Sequence, residues 1–245
     1  MSKKSKKDEM SFFEHLGELR KRLFYSIIAI LVFFIAAWPF KEEVYNWLAQ
    51  PVKQFLPAGK NLAFTSLTDP FMMYVKISFI TGIFVSVPFI FYQLWLFISP
   101  ALYKKEKRMV FPFVFFTTFF FLLGGAFGYY YVFPWACKFF LEIGKNFDAI
   151  ITVGEYFTLA FRVLLGIAVV FELPVLVFLL AKMGIVSSRF LIKYFKYAVL
   201  LIFIIAAVIT PTPDAITQSL FAGPMFLLYL LSIGIAKIVE PKDKE

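Results

Sequence analysis

The chain has 245 residues, of which 61% are hydrophobic, with a formal charge of +9 and a mean hydropathy of +0.80. A soluble domain is roughly half apolar, so this composition excludes an ordinary soluble globule and indicates a membrane protein. The single cysteine, Cys137, and single histidine, His15, exclude an internal disulfide and a Cys/His metal cluster, and neither a metal nor another cofactor is expected.

In chain order, SFFE at Ser11–Glu14 reads as a capping box. Phe12, Leu16, Leu19 and Leu23 form one apolar stripe, so a helix is expected to start along the membrane surface at Ser11 and enter the bilayer. A span needs roughly 20 apolar residues, because a helix rises about 1.5 Å per residue through about 30 Å of hydrocarbon. Leu23–Phe40 is the first candidate; the uncharged run Ile77–Tyr103 contains the second and Met109–Cys137 the third. The fourth is centred on Glu172, the fifth lies in Tyr197–Pro213 and the sixth in Ala215–Ala236. The first 22 residues are too charged, and the following apolar stretch too long, for a cleavable secretory signal.

Between these spans, residues 41–68 form the longest loop, where Val44, Trp47, Leu48 and Phe55 predict a short amphipathic cap. Asp69-Pro70 reads as N-cap and first helical residue, while Glu155 and Asp214 sit near the starts of the fourth and sixth helices. Pro88, Pro174 and Pro224 each fall within an even-numbered span and predict three curved helices. Gly124 and Gly128 have the spacing that lets a neighbouring backbone come close. Only about 14 residues separate Tyr197 from the proline after Thr210, about 21 Å of helix, so the fifth span is short and a thinned bilayer patch is expected beside it.

Charge sets the orientation. Of 25 Lys and Arg, 18 lie in residues 1–22, 104–108, 182–196 and 237–245. The excess of positive charge on one face places both termini in the cytoplasm. The expected organisation is therefore all-α and polytopic: a cytoplasmic segment over 1–22, a six-helix membrane domain over 23–238 and a cytoplasmic tail over 239–245. The same distribution assigns the basic charge to the lipid bilayer and not to nucleic acid.

No phosphate-binding GxxxxGK[ST], HExxH, CxxC or GxSxG occurs, so no catalytic residue is proposed and an enzyme is not expected. What stands out is Glu172, with nine uncharged residues on either side, Val163–Phe171 and Leu173–Ala181. A mid-bilayer ionisable group costs about 2.5–3.5 kcal/mol on insertion scales, so it faces a polar cavity or a partner. The structural alternative is a protonated carboxyl bonded to a backbone carbonyl freed by Pro174. On the basic face, Glu18 and Glu106 either neutralise neighbours such as Arg22 or grip arginines of an incoming peptide, a geometry lysine fits poorly.

HLGELRKRL at 15–23, FYQLWLFISPALYKKEKR at 91–108, FELPV at 171–175 and TPTPDAITQ at 210–218 together resemble the signatures of the TatC family, the multispanning receptor component of the twin-arginine protein translocase. The resemblance covers nearly the whole chain. It implies six helices in a cupped arrangement around a concave groove, in the bacterial cytoplasmic (inner) membrane. It further implies that Glu18 and Glu106 bind the twin-arginine motif of signal peptides on folded substrates, with Arg20, Phe97 and Tyr103 nearby. By the same resemblance Glu172, Asp214 and Gln218 meet partner helices, the partners being the single-span TatA and TatB and other copies of the chain, and the proton-motive force drives export. Two other readings compete: a proton-coupled small-solute transporter carrying protons on Glu172, and a passive scaffold. The first expects inverted repeats with matching broken helices, whereas the three prolines are spaced 86 and 50 residues apart in helices of the same orientation.

Overall fold

The structure, a computed structural model, describes residues 12–53, 61–98, 110–147, 150–210 and 214–240. Ser11, and with it the capping box, Phe55 of the expected cap, and Tyr103 and Glu106 lie outside the described residues. Among those described, the fold is helical, with one isolated parallel bridge between Ala63 and Thr152.

The helices are α1 (Phe12–Ala37), α2 (Lys41–Leu48), α3 (Gln50–Lys53), α4 (Asp69–Ile98), α5 (Val110–Phe127), α6 (Phe133–Ile143), α7 (Val153–Val170), α8 (Leu173–Lys182), α9 (Ser188–Lys193), α10 (Phe195–Ile209) and α11 (Ala215–Val239). A π-helical turn, Gly128–Val132, joins α5 to α6, and α8 continues α7 after a break at Phe171–Glu172. By length and composition five stretches can cross a membrane: α1 to α3, α4, α5 to α6, α7 to α8, and α11. The fifth apolar helix, α10, has 15 residues, about 22 Å, and falls short of the hydrocarbon thickness as its sequence predicts.

Packing follows the small residues. Helix α1 lies along α4, which packs on α5, α5 on α7, and α11 on both α8 and α10. A Cβ at Gly82 in α4 stands 2.7 Å from the Phe34 backbone nitrogen of α1, and one at Gly124 in α5 stands 2.7 Å from Phe171 Cβ and 2.9 Å from Ala168 Cα. The Gly124 spacing therefore does bring α5 against the α7 backbone. Outward from these seams the surface is apolar: Phe24, Val32 and Ile35 of α1 are more than half exposed, the pattern of a face covered by lipid.

The two ends differ. At one end α2 and α3 form the expected cap, which two tyrosines hold down: Tyr129 donates its hydroxyl to the Trp47 carbonyl at 2.6 Å and Tyr156 to the Leu48 carbonyl at 2.9 Å. The indole of Trp47 stacks on Tyr129 at 4.1 Å. The caps of the helices beneath differ in part from the sequence expectation. Thr152 caps α7 by accepting from the Glu155 amide, and Asp214 caps α11 by accepting from Thr217 at 2.7 Å. Asp69 instead turns back, accepting from Thr65 and Ser66 in the preceding loop. At the opposite, basic end, the Glu240 carboxylate after α11 accepts from the Ser188 amide at 2.7 Å and hydroxyl at 3.0 Å, tying α11 to the start of α9.

Pro88 and Pro224 lie inside continuous helices as expected. Pro174 does more: the chain leaves the helix at Phe171, the Glu172 amide donates to Val169 three residues back, and α8 restarts with Pro174 in its first turn. Proline supplies no N–H for the Val170 carbonyl, and with the adjacent short-range bond the bend becomes an interruption.

Two measurements test this packing. Gly124→Ala forces a methyl into backbone-lined space and is expected to cost about 1–3 kcal/mol in detergent unfolding, whereas Gly223→Ala, which meets nothing within 4 Å, is expected to stay within about 1 kcal/mol. The Glu240 carboxyl is held below the ordinary glutamate range, first by the Ser188 amide and then by its hydroxyl. Its contribution is thus present above that range and lost as pH falls through the lowered value. Glu240→Gln should lower the melting temperature near neutral pH, by a margin that shrinks as pH falls through the lowered value; a margin that does not change with acidification contradicts the tie.

Candidate functional site

At the basic end, α1 and α4 present a connected set of polar groups. Both Nε and Nη2 of Arg22 reach Glu18 Oε1, at 2.6 Å and 2.5 Å. Nη1 of the same guanidinium donates to Gln93 Oε1 of α4 at 3.2 Å, and the Ser26 hydroxyl donates to the Arg22 carbonyl one turn on. His15, one turn before Glu18, stacks on Phe97 with ring centroids 4.4 Å apart. The helices approach closely enough for this because α1 lies along the length of α4, putting residues 71 and more positions apart side by side.

The structure therefore unites Glu18 and Phe97 of the sequence-derived set. Arg20 is exposed on α1 and points to no described partner. The neutralising reading of Glu18 is realised in part: Arg22 takes one carboxylate oxygen, and Oε2 accepts no hydrogen bond from a described residue. Gln93 escaped the sequence reading, although it is the lone amide side chain in an uncharged run of 27 residues, Ile77–Tyr103. His15, set aside as a chemical centre, serves as a stacking surface.

The second polar position is Glu172, at the break between α7 and α8. Its Oε1 is buried with no hydrogen-bond partner, and its carboxyl bonds to no described residue. The carbonyl-bonded alternative is thus not what the structure adopts. The side chain is partly exposed, and Val169 and Leu176, three positions before and four after it, are 61% and 51% exposed. At helical spacing these three share one outward face. An apolar cavity of about 360 Å³ begins at Pro174 and runs between Trp95, Phe113, Val175 and Met183 toward the basic end. Of the other two expected partner contacts, Asp214 caps α11, and Gln218 donates its amide to the Phe203 carbonyl of α10 at 2.8 Å. The Gln218 bond fastens the short α10 to α11.

No group of three or more His, Cys, Asp or Glu residues able to hold a metal occurs among the described residues. The comparisons with known proteins agree with the layout. A family profile described as Sec-independent protein translocase protein (TatC) matches residues 14–224. The chain belongs to the TatC family. Among TatC relatives, one from Koribacter versatilis is 46% identical over 238 residues, covering 96% of this chain and 88% of that one. A TatC protein from Helicobacter pylori (strain J99) is 45% identical, covering 94% and 90% respectively. A crystal structure titled as the twin arginine translocase receptor TatC superposes with a TM-score of 0.82 at 36% identity, covering 92% of this chain and 99% of that one. As a TatC protein the chain is a protein translocase component and not an enzyme.

The cluster yields its own test. Arg22 and Gln93 meet across two helices in a partly exposed setting, so a double-mutant cycle of Arg22→Ala and Gln93→Ala should give a coupling of about 0.5–1 kcal/mol in detergent unfolding. Strict additivity would show that the contact orders nothing.

Proposed function

We propose that this chain is the receptor of a twin-arginine translocase: it binds the arginine pair of signal peptides on folded substrates at the basic end and receives single-span TatA and TatB helices beside Glu172. In this reading α10 counts as a sixth, thin-patch span, both termini face the cytoplasm and the helices cup a groove in the bacterial inner membrane. The observation that carries the reading is the Glu18 carboxylate with a guanidinium already on one oxygen. Arg22, steadied by Gln93, fixes Oε1 and leaves Oε2 for a second guanidinium. Planar guanidinium groups suit such a carboxylate better than the ammonium of lysine.

Glu106, Tyr103 and Arg20 complete the cytoplasmic site by resemblance, and Phe97, backed by His15, supplies an apolar wall. The unpartnered Glu172 supports the second role, since a polar side chain on an arriving helix gains a hydrogen bond there that lipid cannot offer. The transporter reading predicts matched broken helices in two inverted halves; of the helices described, Pro174 marks a break in the middle of the fourth span, Pro39 lies in a 3-10 turn at the end of α1, Pro134 follows the π turn of the third span, and Pro88 and Pro224 sit in unbroken helices, which is no matched pair.

The test is binding of a synthetic signal peptide to the purified chain. Glu18→Gln and Glu106→Gln should each weaken binding by about tenfold or more, the loss of one charge-assisted contact. Replacing the peptide's arginine pair by lysines should cost a similar factor. Unchanged binding in both variants, or equal affinity for the twin-lysine peptide, rejects the reading.

A further inference from the structure

A second cavity, of about 810 Å³, lies at the cap end between the starts of α4 and α7 and the side of α6, remote from both sites above. Its wall is layered. The starts of α4 and α7 are held near one level by the bridge at Ala63, whose amide donates to the Ile151 carbonyl at 3.0 Å and whose carbonyl accepts from Val153 at 2.7 Å. Asp69 and Glu155 occupy the first turns of the two helices. Lys76 and Arg162 follow seven residues later in each, about 10 Å deeper, and all four line the cavity. Phe140 and Leu141 in the last turn of α6, and Leu159 between Glu155 and Arg162 on α7, make part of its wall apolar.

Neither Lys76 nor Arg162 forms an ion pair with a described carboxylate, and both are exposed. Asp69 takes the bonds from Thr65 and Ser66 on Oδ2, so its Oδ1 and the Glu155 carboxylate are the acceptors left at the rim among the described residues. Helical side chains lean toward the N-terminus and long cationic ones extend toward the interface, so the two cations rise toward the carboxylate layer. Helix α4 is 30 residues long, about 45 Å against about 30 Å of hydrocarbon, which puts Lys76 within a few ångströms of the hydrocarbon boundary. Phospholipid headgroups lie at that depth.

We propose that this cavity holds a phospholipid whose headgroup carries a primary amine. The phosphodiester sits against the raised ends of Lys76 and Arg162, the ammonium donates to Glu155, and the acyl chains continue past the two cations into the bilayer. The sign order selects the class. A purely anionic headgroup brings no cation to the two carboxylates, and a quaternary ammonium has no N–H to donate to Glu155. The inference is independent of signal-peptide recognition and stands or falls on lipid binding alone.

The experiment is native mass spectrometry of the full chain released from mixed micelles containing equal amounts of phosphatidylethanolamine, phosphatidylglycerol and phosphatidylcholine with identical acyl chains. The wild type should retain the ethanolamine lipid about tenfold over either competitor, as one charge-assisted contact allows. Glu155→Gln should reduce that preference by about threefold or more, Asp69 keeping one open oxygen, and Lys76→Gln/Arg162→Gln should abolish specific retention of all three. Equal retention of the three lipids by the wild type overturns the proposal, as does undiminished ethanolamine preference in either variant. Melting temperatures are measured in parallel; if the double variant does not fold, Glu155→Gln, which alters one exposed side chain, decides the matter alone.

Discussion

In hydrocarbon a polar group either finds a partner within the protein or waits for one, and this constraint organises the whole chain. Several polar side chains on the helices are spent on backbone carbonyls: Ser86 on Ile83, Thr117 on Phe113, Ser232 on Leu228, and Gln218 on Phe203 of the neighbouring helix; Ser78, Trp95, Thr118 and Thr217 instead keep a buried polar atom that no described residue satisfies. Glu172 is the one carboxyl among these unsatisfied groups, placed where Pro174 interrupts the fourth span and bonded to no described residue. The interruption and the open carboxyl belong together: a continuous helix would have no reason to present a break in its apolar surface at that depth.

The rest of the fold holds that break in position. Gly124 allows α5 to pack directly on Ala168 and Phe171, so the residues leading into the break are gripped by a neighbour's backbone. Beyond it, α8 packs on α11, which in turn anchors the short α10. At the cap end Tyr129 and Tyr156 tie the connecting helices to the third and fourth spans. At the basic end the contact through Arg22 and Gln93 fixes the start of α1 against the end of α4. A rigid frame around an unsatisfied acid, with a second acid at the basic end, is the physical form expected of the proposed receptor, which would dock other polypeptides and make or break no bond.

The helices were legible in the sequence because each apolar run is long and uncharged, and the short α10 was legible because Tyr197 and Pro211 bound it. The cap was legible from Trp47 and its neighbours. What sequence could not supply were pairings across the bundle. Gln93 meets Arg22 across 71 positions and His15 meets Phe97 across 82, and no local pattern encodes either contact. Asp69 was read as a cap for its own helix, but two serine and threonine neighbours upstream compete for its carboxylate and win. Pro174 signalled a bend, whereas the neighbouring Glu172 and the short-range bond to Val169 turn the bend into a break.

The most direct test of the account is proximity at that break. Leu176, one turn from Glu172 on the same exposed face, is replaced by cysteine, and a second cysteine is placed at matching depth in a single-span TatA or TatB helix in membranes that transport substrate. The account predicts a disulfide between the two chains that forms under mild oxidation and is lost when Glu172 becomes alanine. No cross-link in transporting membranes, or an equal yield with and without the carboxyl, would contradict it.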